Sequence, residues 1–246
     1  MPEGPSIYIL REELQPFISR EIINVRGNSK EDIEKLREAS VSQIRSWGKH
    51  LLITLSNGIT VRIHFMLFGS YSVNEKKENR KERLGLDFSN GEINFYACSV
   101  KILTEDPDDI YDWSADVMNN IWNKERARSK VLDNSEELIT DVLLDQEIFA
   151  GVGNIIKNEV LFRTKVQPES IVKSIPSTKL DEIIQDARNF SFQFNEWKKE
   201  YLLRKNLQVH NKALCPRCEI KIVRKANVGK KKRRAFYCTN CQQLYE

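Results

Sequence analysis

The sequence predicts an α+β chain of more than one domain: an antiparallel β-sandwich or barrel with a flanking helix, then a helical part, then a small cysteine-rich module. Three observations predict this order. Asn-Gly pairs join apolar runs in the first hundred residues, helical periodicity follows an acidic stretch near Pro107, and four of the five cysteines fall in the last 32 residues. The 246 residues, 40% of them hydrophobic, suffice for two compact domains with buried cores.

The first part of the chain combines a helix with paired strands. Residues 6–19 fit a helix whose apolar face is drawn from Ile7, Leu10, Leu14 and Ile18. Asn57-Gly58 and Asn90-Gly91 each separate two strand-like runs. We expect a hairpin at both pairs, because the central residues of tight hairpin turns need positive φ.

The middle of the chain is predicted to be helical. Ser135 is a candidate N-cap for a helix that opens with two glutamates, since acidic side chains favour the positive end of a helix dipole. A further helix is predicted from Ser177. The glycines of 151–153 are expected to free the backbone, with Asn154 opening the next helix. Amides at such a helix start can bind an anion, although an ordinary turn is the alternative.

Two C-x2-C pairs near the C-terminus predict a metal site: Cys215, Cys218, Cys238 and Cys241. Four thiolates on two facing turns suit a tetrahedral Zn²⁺. A full set of four protein ligands leaves no open position for catalysis, so one structural zinc is expected. Disulfide bonds or an iron centre are the alternatives. Cys98 stands alone in an apolar run and is expected to lie in the core.

Charge is distributed unevenly along the chain. Residues 201–246 carry twelve Lys and Arg against two Glu, a net charge of +10, whereas the remainder carries −6. A basic module on an acidic body favours a polyanionic partner, and the run from Gly229 to Arg234 is expected to place cations against phosphates. A solvated basic tail is the alternative.

The sequence excludes membrane and secretory classes. No apolar run approaches the roughly 18–20 residues that a membrane helix needs. The N-terminus carries Glu3, Glu12 and Glu13 and has no basic region ahead of an apolar one. We therefore expect a cytoplasmic protein with no membrane partner.

Three features together resemble one family. They are the start Met-Pro-Glu-Gly-Pro, the segment LLDQEIFAGVGNIIKNEVLF at 143–162, and the cysteine finger with its RAFYC second strand. On these motifs the whole chain resembles the bifunctional DNA glycosylase/AP lyases of the formamidopyrimidine-DNA glycosylase and endonuclease VIII family. The resemblance implies a β-sandwich domain at 1–115, a helix–two-turn–helix domain at 116–205 and a zinc finger at 206–246, with DNA in the cleft between the halves.

The resemblance also implies the catalytic residues Pro2, Glu3 and Lys49. Once Met1 is removed, Pro2 presents a secondary amine that can attack the sugar C1′ and expel the damaged base. The iminium that remains permits β- and then δ-elimination of the flanking phosphates. Glu3 is implied as the acid/base group that promotes opening of the sugar ring, and Lys49 as the lysine that holds a phosphate near the lesion.

DNA-binding residues follow from the same resemblance. Asn154 and Arg233 match the family's phosphate clamps, and Arg234 is the second candidate for the finger's clamp. The triplet Met66, Leu67 and Phe68 matches a loop that fills the gap left by the extruded nucleotide, with core packing as the alternative for Met66. The resemblance implies that the partner is double-stranded DNA with damaged bases or abasic sites. It also implies a bacterial-type protein that is a monomer and is associated with the nucleoid when bound to DNA.

The choice of lesion is also predicted from the motifs. The Pro-Glu-Gly-Pro start and the 66–68 triplet are similar to the endonuclease VIII branch, and 96–102 lacks the Pro-Arg-Arg-Phe-Gly of the other branch. We therefore expect oxidised pyrimidines, with an 8-oxoguanine or formamidopyrimidine glycosylase as the alternative. Ser6, where the family has a second glutamate, supports another alternative, a noncatalytic or lyase-only zinc-containing DNA-binding protein. The finger and charge alone would also fit a zinc ribbon for RNA or protein.

Overall fold

The computed structural model describes residues 2–246, so Met1, whose removal the predicted chemistry requires, lies outside the described residues. Its contacts divide the chain into two compact units, the first ending at Tyr111 and the second beginning at Asp112. The three-domain division at 115/116 and 205/206 stays a prediction. Within the described chain, no helix is both long and apolar enough to cross a membrane.

The first unit combines β-strands with a flanking helix. The helix α1 spans Gly4–Glu13 and leads into a 3-10 turn at Gln15–Phe17, and a further 3-10 turn spans Ile33–Leu36. The strands are β1 (Asn24–Arg26), β2 (Val41–Trp47), β3 (His50–Leu55), β4 (Thr60–His64), β5 (Ser70–Val73), β6 (Leu84–Phe88), β7 (Gly91–Tyr96) and β8 (Ser99–Leu103). A short helix, α2 (Pro107–Ile110), follows them.

The strands of the first unit form two antiparallel sheets. Their orders are β1-β6-β7-β5 and β2-β3-β4-β8. Both sheets bury side chains in one core, to which Ile53 belongs from one sheet and Phe95 from the other. Helix α1 packs on β2 and β3 and adds Ile7 and Leu10 to the same core. The predicted sandwich with a flanking helix is confirmed, and the separate sheets exclude a closed barrel.

Helix α1 is shorter than the predicted helix at 6–19. It begins at Gly4, because Pro5 is tolerated in the first helical turn. It ends at Glu13, since Pro16 has no N–H to continue the helical hydrogen bonds. The predicted apolar face is correct for Ile7, Leu10 and Leu14, which are buried, and Ile18 packs against the core from a partly buried position.

Both predicted hairpins are present. Leu51 pairs with Ile63 across the first, and Phe88 pairs with Gly91 across the second. In each turn the glycine takes the positive φ, 83° at Gly58 and 144° at Gly91, whereas neither turn asparagine does. The turns therefore differ from the predicted type with positive φ at both central residues.

The second unit is helical and carries a β-hairpin. Its helices are α3 (Lys124–Asp133), α4 (Ile139–Leu143), α5 (Asn154–Arg163), α6 (Ser177–Lys199) and α7 (Leu203–Asn206), with 3-10 turns at Trp113–Ala115 and Val172–Ser174. The strands β9 (Val223–Val228) and β10 (Arg233–Tyr237) pair antiparallel. Helix α5 packs against α6 and β10. The helix starts predicted at Asn154 and Ser177 are confirmed.

The helix predicted from Ser135 is wrong. Ser135 lies between α3 and α4, where its carbonyl accepts a hydrogen bond from the Lys173 N–H at 2.9 Å. Leu138 forms an antiparallel bridge with Ile171. These contacts hold the segment between α3 and α4 in a non-helical conformation, so α4 begins only at Ile139.

Candidate nucleic-acid interface and metal centre

Pro2 and Glu3 lie immediately before α1, and Glu3 is the N-cap residue of that helix. The Glu3 carbonyl accepts a hydrogen bond from the Ser6 N–H at 2.8 Å, whereas its side chain makes no capping bond. Glu3 is only 2% exposed. Glutamate side chains are mostly exposed in proteins, so the burial of this carboxyl group is unusual.

Lys49 lies in the tight turn between β2 and β3. Gly48 takes a φ of 53°, which lets Trp47 pair with His50 across the turn. The Lys49 carbonyl lies 3.3 Å from Nδ1 of His64 on the neighbouring strand β4. Helix α1 packs on both strands that the turn joins, so the N-terminal residues and Lys49 belong to one unit.

An imidazole and aromatic cluster that the sequence reasoning missed lies next to Lys49. The rings of His50 and His64 meet edge to face with centroids 5.1 Å apart, and His50 Nδ1 is 3.3 Å from the Tyr111 hydroxyl. Burial, and then the positive charges of neighbouring groups, lower the pKa of His50 to about 3. Burial also lowers the pKa of His64. Both imidazoles are therefore neutral at pH 7, and Lys49 supplies positive charge at this turn.

The triplet Met66, Leu67 and Phe68 forms the turn between β4 and β5. These side chains are 53%, 54% and 82% exposed, so core packing is excluded for Met66. Phe65, directly before them, is buried. The Gly69 N–H donates to the Phe65 carbonyl at 3.0 Å, and a Cβ on Gly69 would lie 2.3 Å from that oxygen. The glycine thus permits a closed turn that presents apolar side chains to solvent.

Asn154 begins α5, directly after Gly153 at the N-cap. Gly151, with a φ of 98°, supplies the predicted backbone freedom before it. The side-chain Oδ1 of Asn154 is buried and has no hydrogen-bond partner within residues 2–246. Leaving a buried amide oxygen unpaired is costly, and this oxygen can only accept a hydrogen bond, whereas the Nδ2 of the same amide can donate one to a phosphate.

Three consecutive polar residues of α5 are completely buried: Lys157, Asn158 and Glu159. Lys157 Nζ donates to the Arg234 carbonyl at 3.1 Å, and Asn158 Oδ1 accepts from the Phe236 N–H at 3.2 Å. These bonds hold strand β10 against α5. The helix that begins with Asn154 therefore also positions the strand that carries both candidate arginines.

The Glu159 carboxylate holds the chain that leads into the finger. It accepts hydrogen bonds from the backbone N–H groups of Gln208, Val209 and His210 at 2.9, 2.9 and 2.8 Å. Burial, and then the nearby cations, lower the pKa of His210 to about 4. Sequence reasoning missed these polar anchors, although the Lys-Asn-Glu run inside an otherwise apolar helix was a usable signal.

Arg233 and Arg234 are the first residues of β10, and both are exposed. Neither side chain forms a hydrogen bond or ion pair in the described part of the chain. Of the three lysines before them, two contact other groups of the second unit. The Lys230 ammonium contacts Glu137, and Lys231 Nζ donates to the Leu144 carbonyl at 3.0 Å.

The four cysteines of the two C-x2-C pairs come together. Their Sγ atoms all lie within 4.8 Å of one another, and those of Cys215 and Cys241 are 3.8 Å apart. Sulfur atoms around a tetrahedral zinc are about 3.8 Å apart, given a Zn–S distance of about 2.3 Å. The donor set and spacing therefore fit a four-coordinate zinc. Cys98 lies in the sandwich core, as predicted, and burial raises the pKa of its thiol to about 11.

Two side chains tie the cysteine cluster to the helical part. Gln242 accepts from the Cys238 N–H at 2.9 Å and donates to the Val166 carbonyl at 2.7 Å. Arg217 donates to the Phe162 carbonyl at 2.6 Å and lies 3.8 Å from Cys241 Sγ. Its positive charge offsets the negative charge of a metal bound by four thiolates, as groups around metal ligands commonly do.

Two family models match this chain. The formamidopyrimidine-DNA glycosylase N-terminal domain matches residues 1–99, and the formamidopyrimidine-DNA glycosylase H2TH domain matches residues 118–190.

Relatives carry both names of the resemblance. Endonuclease 8-like 3 of Xenopus laevis is 26% identical over 234 residues, which are 90% of this chain and 38% of that protein. This chain thus spans little more than a third of the endonuclease 8-like 3 relatives. The formamidopyrimidine-DNA glycosylase of Carboxydothermus hydrogenoformans is 24% identical over 99% of this chain and its own full length.

A solved structure shares the fold. The formamidopyrimidine-DNA glycosylase of Lactococcus lactis, bound non-covalently to DNA with an AP site, superposes with a TM-score of 0.85. The alignment covers 98% of this chain and 99% of that chain at 20% sequence identity.

Proposed function

Because the chain belongs to the formamidopyrimidine-DNA glycosylase and endonuclease VIII family, we propose that it is a base-excision repair DNA glycosylase with AP lyase activity. Its proposed substrates are oxidised pyrimidines in double-stranded DNA. The observation that carries the proposal is the burial of Glu3, an acid/base group that directly follows Pro2 at the start of α1. Pro2 presents its amine once Met1 is removed. A buried carboxyl group beside a nucleophile is a common arrangement of catalytic sites.

The proposed reaction uses the secondary amine of Pro2. An α-amino group titrates near pH 8, so a useful fraction is unprotonated at neutral pH. Its nitrogen bonds to C1′ of the deoxyribose, the bond from C1′ to the base breaks, and the base leaves with a proton. Glu3 transfers the proton that opens the sugar ring, which leaves an iminium. Loss of a C2′ proton then expels the 3′ phosphate, and a second elimination expels the 5′ phosphate.

The remaining site residues are assigned to binding. Lys49 is proposed to hold a phosphate near the lesion, and neutral His50 and His64 leave the local positive charge to cations such as Lys49. Asn154, Arg233 and Arg234 are proposed to hold phosphates from the second unit. The exposed triplet 66–68 is proposed to fill the gap in the base stack. One zinc held by the four cysteines would stabilise the finger and leaves no ligand position open for chemistry.

Ser6 favours a second candidate function. It lies on the first turn of α1, three residues after Glu3, where the family has a second glutamate. A hydroxyl group cannot replace a carboxylate in proton transfer at neutral pH. The second candidate is therefore a lyase-only or noncatalytic DNA-binding protein, and a glycosylase for 8-oxoguanine or formamidopyrimidine is the other choice of lesion.

Borohydride trapping tests the proposal. Protein whose N-terminus is confirmed by mass spectrometry to be Pro2 is incubated with duplexes that carry thymine glycol, 8-oxoguanine or an abasic site. We expect adducts with the first and last duplexes that map to Pro2. Pro2→Gly should cripple base excision, because it replaces a secondary amine by a primary amine of different basicity, and unchanged excision would refute Pro2 as the nucleophile. Glu3→Gln should reduce adduct formation, with the exposed Glu21→Gln as the control.

The pattern of adducts separates the candidates. Trapping on the abasic duplex alone supports a lyase, and Ser6→Glu should then restore base excision if the missing carboxylate is the cause. Trapping on 8-oxoguanine in preference to thymine glycol reverses the choice of lesion. Zinc-loaded protein that binds DNA and yields no adduct contradicts the proposed enzyme and supports the noncatalytic binder.

A further inference from the structure

A carboxylate of α4 binds the tip of the β9–β10 hairpin. Asp141, only 7% exposed, accepts hydrogen bonds from the backbone N–H groups of Lys230 at 2.9 Å and Lys231 at 3.1 Å. Each of its two oxygens takes one of these bonds. Hydrogen bonds to an ionised acceptor are stronger than neutral ones, and this pair reaches across the second unit from one secondary-structure element to another.

Gly229 makes room for this carboxylate. Its φ is 69°, and a Cβ at this position would lie 2.3 Å from one oxygen of Asp141. Successive backbone N–H groups at such a turn form a concave site for an anion, often called a nest. Here the nest contains a side chain of the same protein. The tip therefore docks on α4 through its backbone, whereas the sequence predicted only that its cations lie against phosphates.

The docked tip lies directly before the candidate phosphate ligands. The Lys232 N–H donates to the Gly229 carbonyl at 3.1 Å, which closes the turn, and Arg233 begins β10 immediately afterwards. Farther along β10, Asn158 of α5 binds the Phe236 backbone. Arg233 and Arg234 thus lie between two anchors, one on α4 and one on α5.

We propose that Asp141 is a positioning residue that fixes Arg233 and Arg234 for phosphate binding by docking the hairpin tip on α4. The inference rests on the proposed function, because it takes DNA phosphates as the ligand of the two arginines. Asp141 itself contacts no phosphate in this assignment. A carboxylate so close to a basic run is unfavourable for binding a polyanion. The hydrogen bonds of Asp141 to the backbone N–H groups of Lys230 and Lys231 account for a carboxylate at this position.

A double-mutant design tests the assignment in the full-length, zinc-loaded chain. The Kd for an abasic duplex is measured by fluorescence anisotropy for Asp141→Ala, alone and combined with Arg233→Ala and Arg234→Ala. We expect Asp141→Ala to weaken binding about tenfold in the wild-type background, as for one lost charge-assisted contact. In the background that lacks both arginines, the loss should fall below about twofold, since coupled residues are not additive.

Two further variants and a second readout complete the test. Gly229→Ala should reproduce the loss, because it blocks the carboxylate from the other side of the contact. Glu137→Gln removes only the side-chain partner of Lys230 and should leave the Kd within about twofold. Hydrogen exchange of the amides at 230 and 231 should quicken in Asp141→Ala at unchanged zinc content.

Each contrary result has a defined meaning. Equal losses in both arginine backgrounds would show a general structural role and overturn the positioning assignment. Tighter DNA binding by Asp141→Ala would show that the carboxylate opposes DNA, and unchanged exchange would show that the tip is not docked. Failure of the wild-type chain to bind any duplex would overturn the proposed function and the assignment together, whereas lack of base excision with intact binding would overturn the enzyme alone.

Discussion

Asn158 binds the backbone of Phe236: its side-chain Oδ1 accepts the Phe236 N–H at 3.2 Å. The Nδ2 of the same amide donates to the Asn154 carbonyl at 2.7 Å. One buried side chain therefore links the first turn of α5 to the strand that begins with Arg233. The proposed phosphate ligands of the second unit are held in place by buried polar contacts, and their arrangement does not depend on an unstructured basic tail.

Asn158→Ala should lower the free energy of unfolding by about 1–3 kcal/mol, because it leaves the buried Phe236 N–H without an acceptor. Urea unfolding measures the change. Asn189→Ala is the matched control, since Asn189 is exposed on α6, and it should change stability by less than about 0.5 kcal/mol. Equal effects of the two substitutions would contradict the anchoring role.

Arg233→Ala should weaken binding to damaged and undamaged duplexes alike, because a phosphate contact carries no sequence information. It should also reduce the slope of log Kd against log salt by roughly 0.9, as for one lost phosphate contact. Arg234→Ala, measured in parallel, identifies which arginine is the clamp. Arg224→Ala on the neighbouring strand is the control and should leave the slope unchanged. A loss limited to one lesion would contradict the assignment.

Local signals in the sequence predicted most of the framework. Asn-Gly pairs, the C-x2-C spacing and the glycines before Asn154 act over a few residues, so the hairpins, the cysteine cluster and the start of α5 followed from them. The Ser135 helix failed because its segment is bound by Lys173, far along the chain. The burial of Lys157 and the docking of Lys230 on Asp141 also depend on contacts between distant segments, which residue patterns do not encode.

Phe68→Ala should reduce base excision strongly and leave stability almost unchanged, because its ring is 82% exposed and makes little contact with the core. Activity on a thymine glycol duplex and urea unfolding are the two measurements. Phe65→Ala, by contrast, should lower the free energy of unfolding by about 3–5 kcal/mol, because it leaves a cavity in the sandwich core. Normal excision by a folded Phe68→Ala protein would exclude the intercalation role.

Cys238→Ser should abolish zinc binding and weaken DNA binding, because a tetrahedral site loses one of four thiolates and the finger has few buried apolar residues of its own. Metal content by mass spectrometry should fall from one zinc per chain to none. Cys98→Ala is the control, since Cys98 lies in the sandwich core of the other unit and should leave the zinc content at one. Retention of zinc by Cys238→Ser would refute the four-cysteine site.

His50 should make the first unit sensitive to acid. Its pKa in the folded chain is about 3, against about 6.5 when exposed, so between these values the unfolded chain binds a proton that the folded chain does not. The free energy of unfolding should therefore fall as the pH drops below 6.5, by up to about 1.4 kcal/mol per pH unit from this group. His50→Gln should remove that part of the slope in urea unfolding between pH 6 and pH 4.

A matched variant identifies the cause of this slope. The lowered pKa of His50 comes first from burial and then from the charges of His64, Arg62 and Lys49. Tyr111→Phe removes the hydroxyl 3.3 Å from His50 Nδ1 and keeps the ring that helps to bury the imidazole, so it should retain the wild-type slope. An unchanged slope in His50→Gln would mean that other groups cause the acid sensitivity and that folding does not lower the pKa of His50.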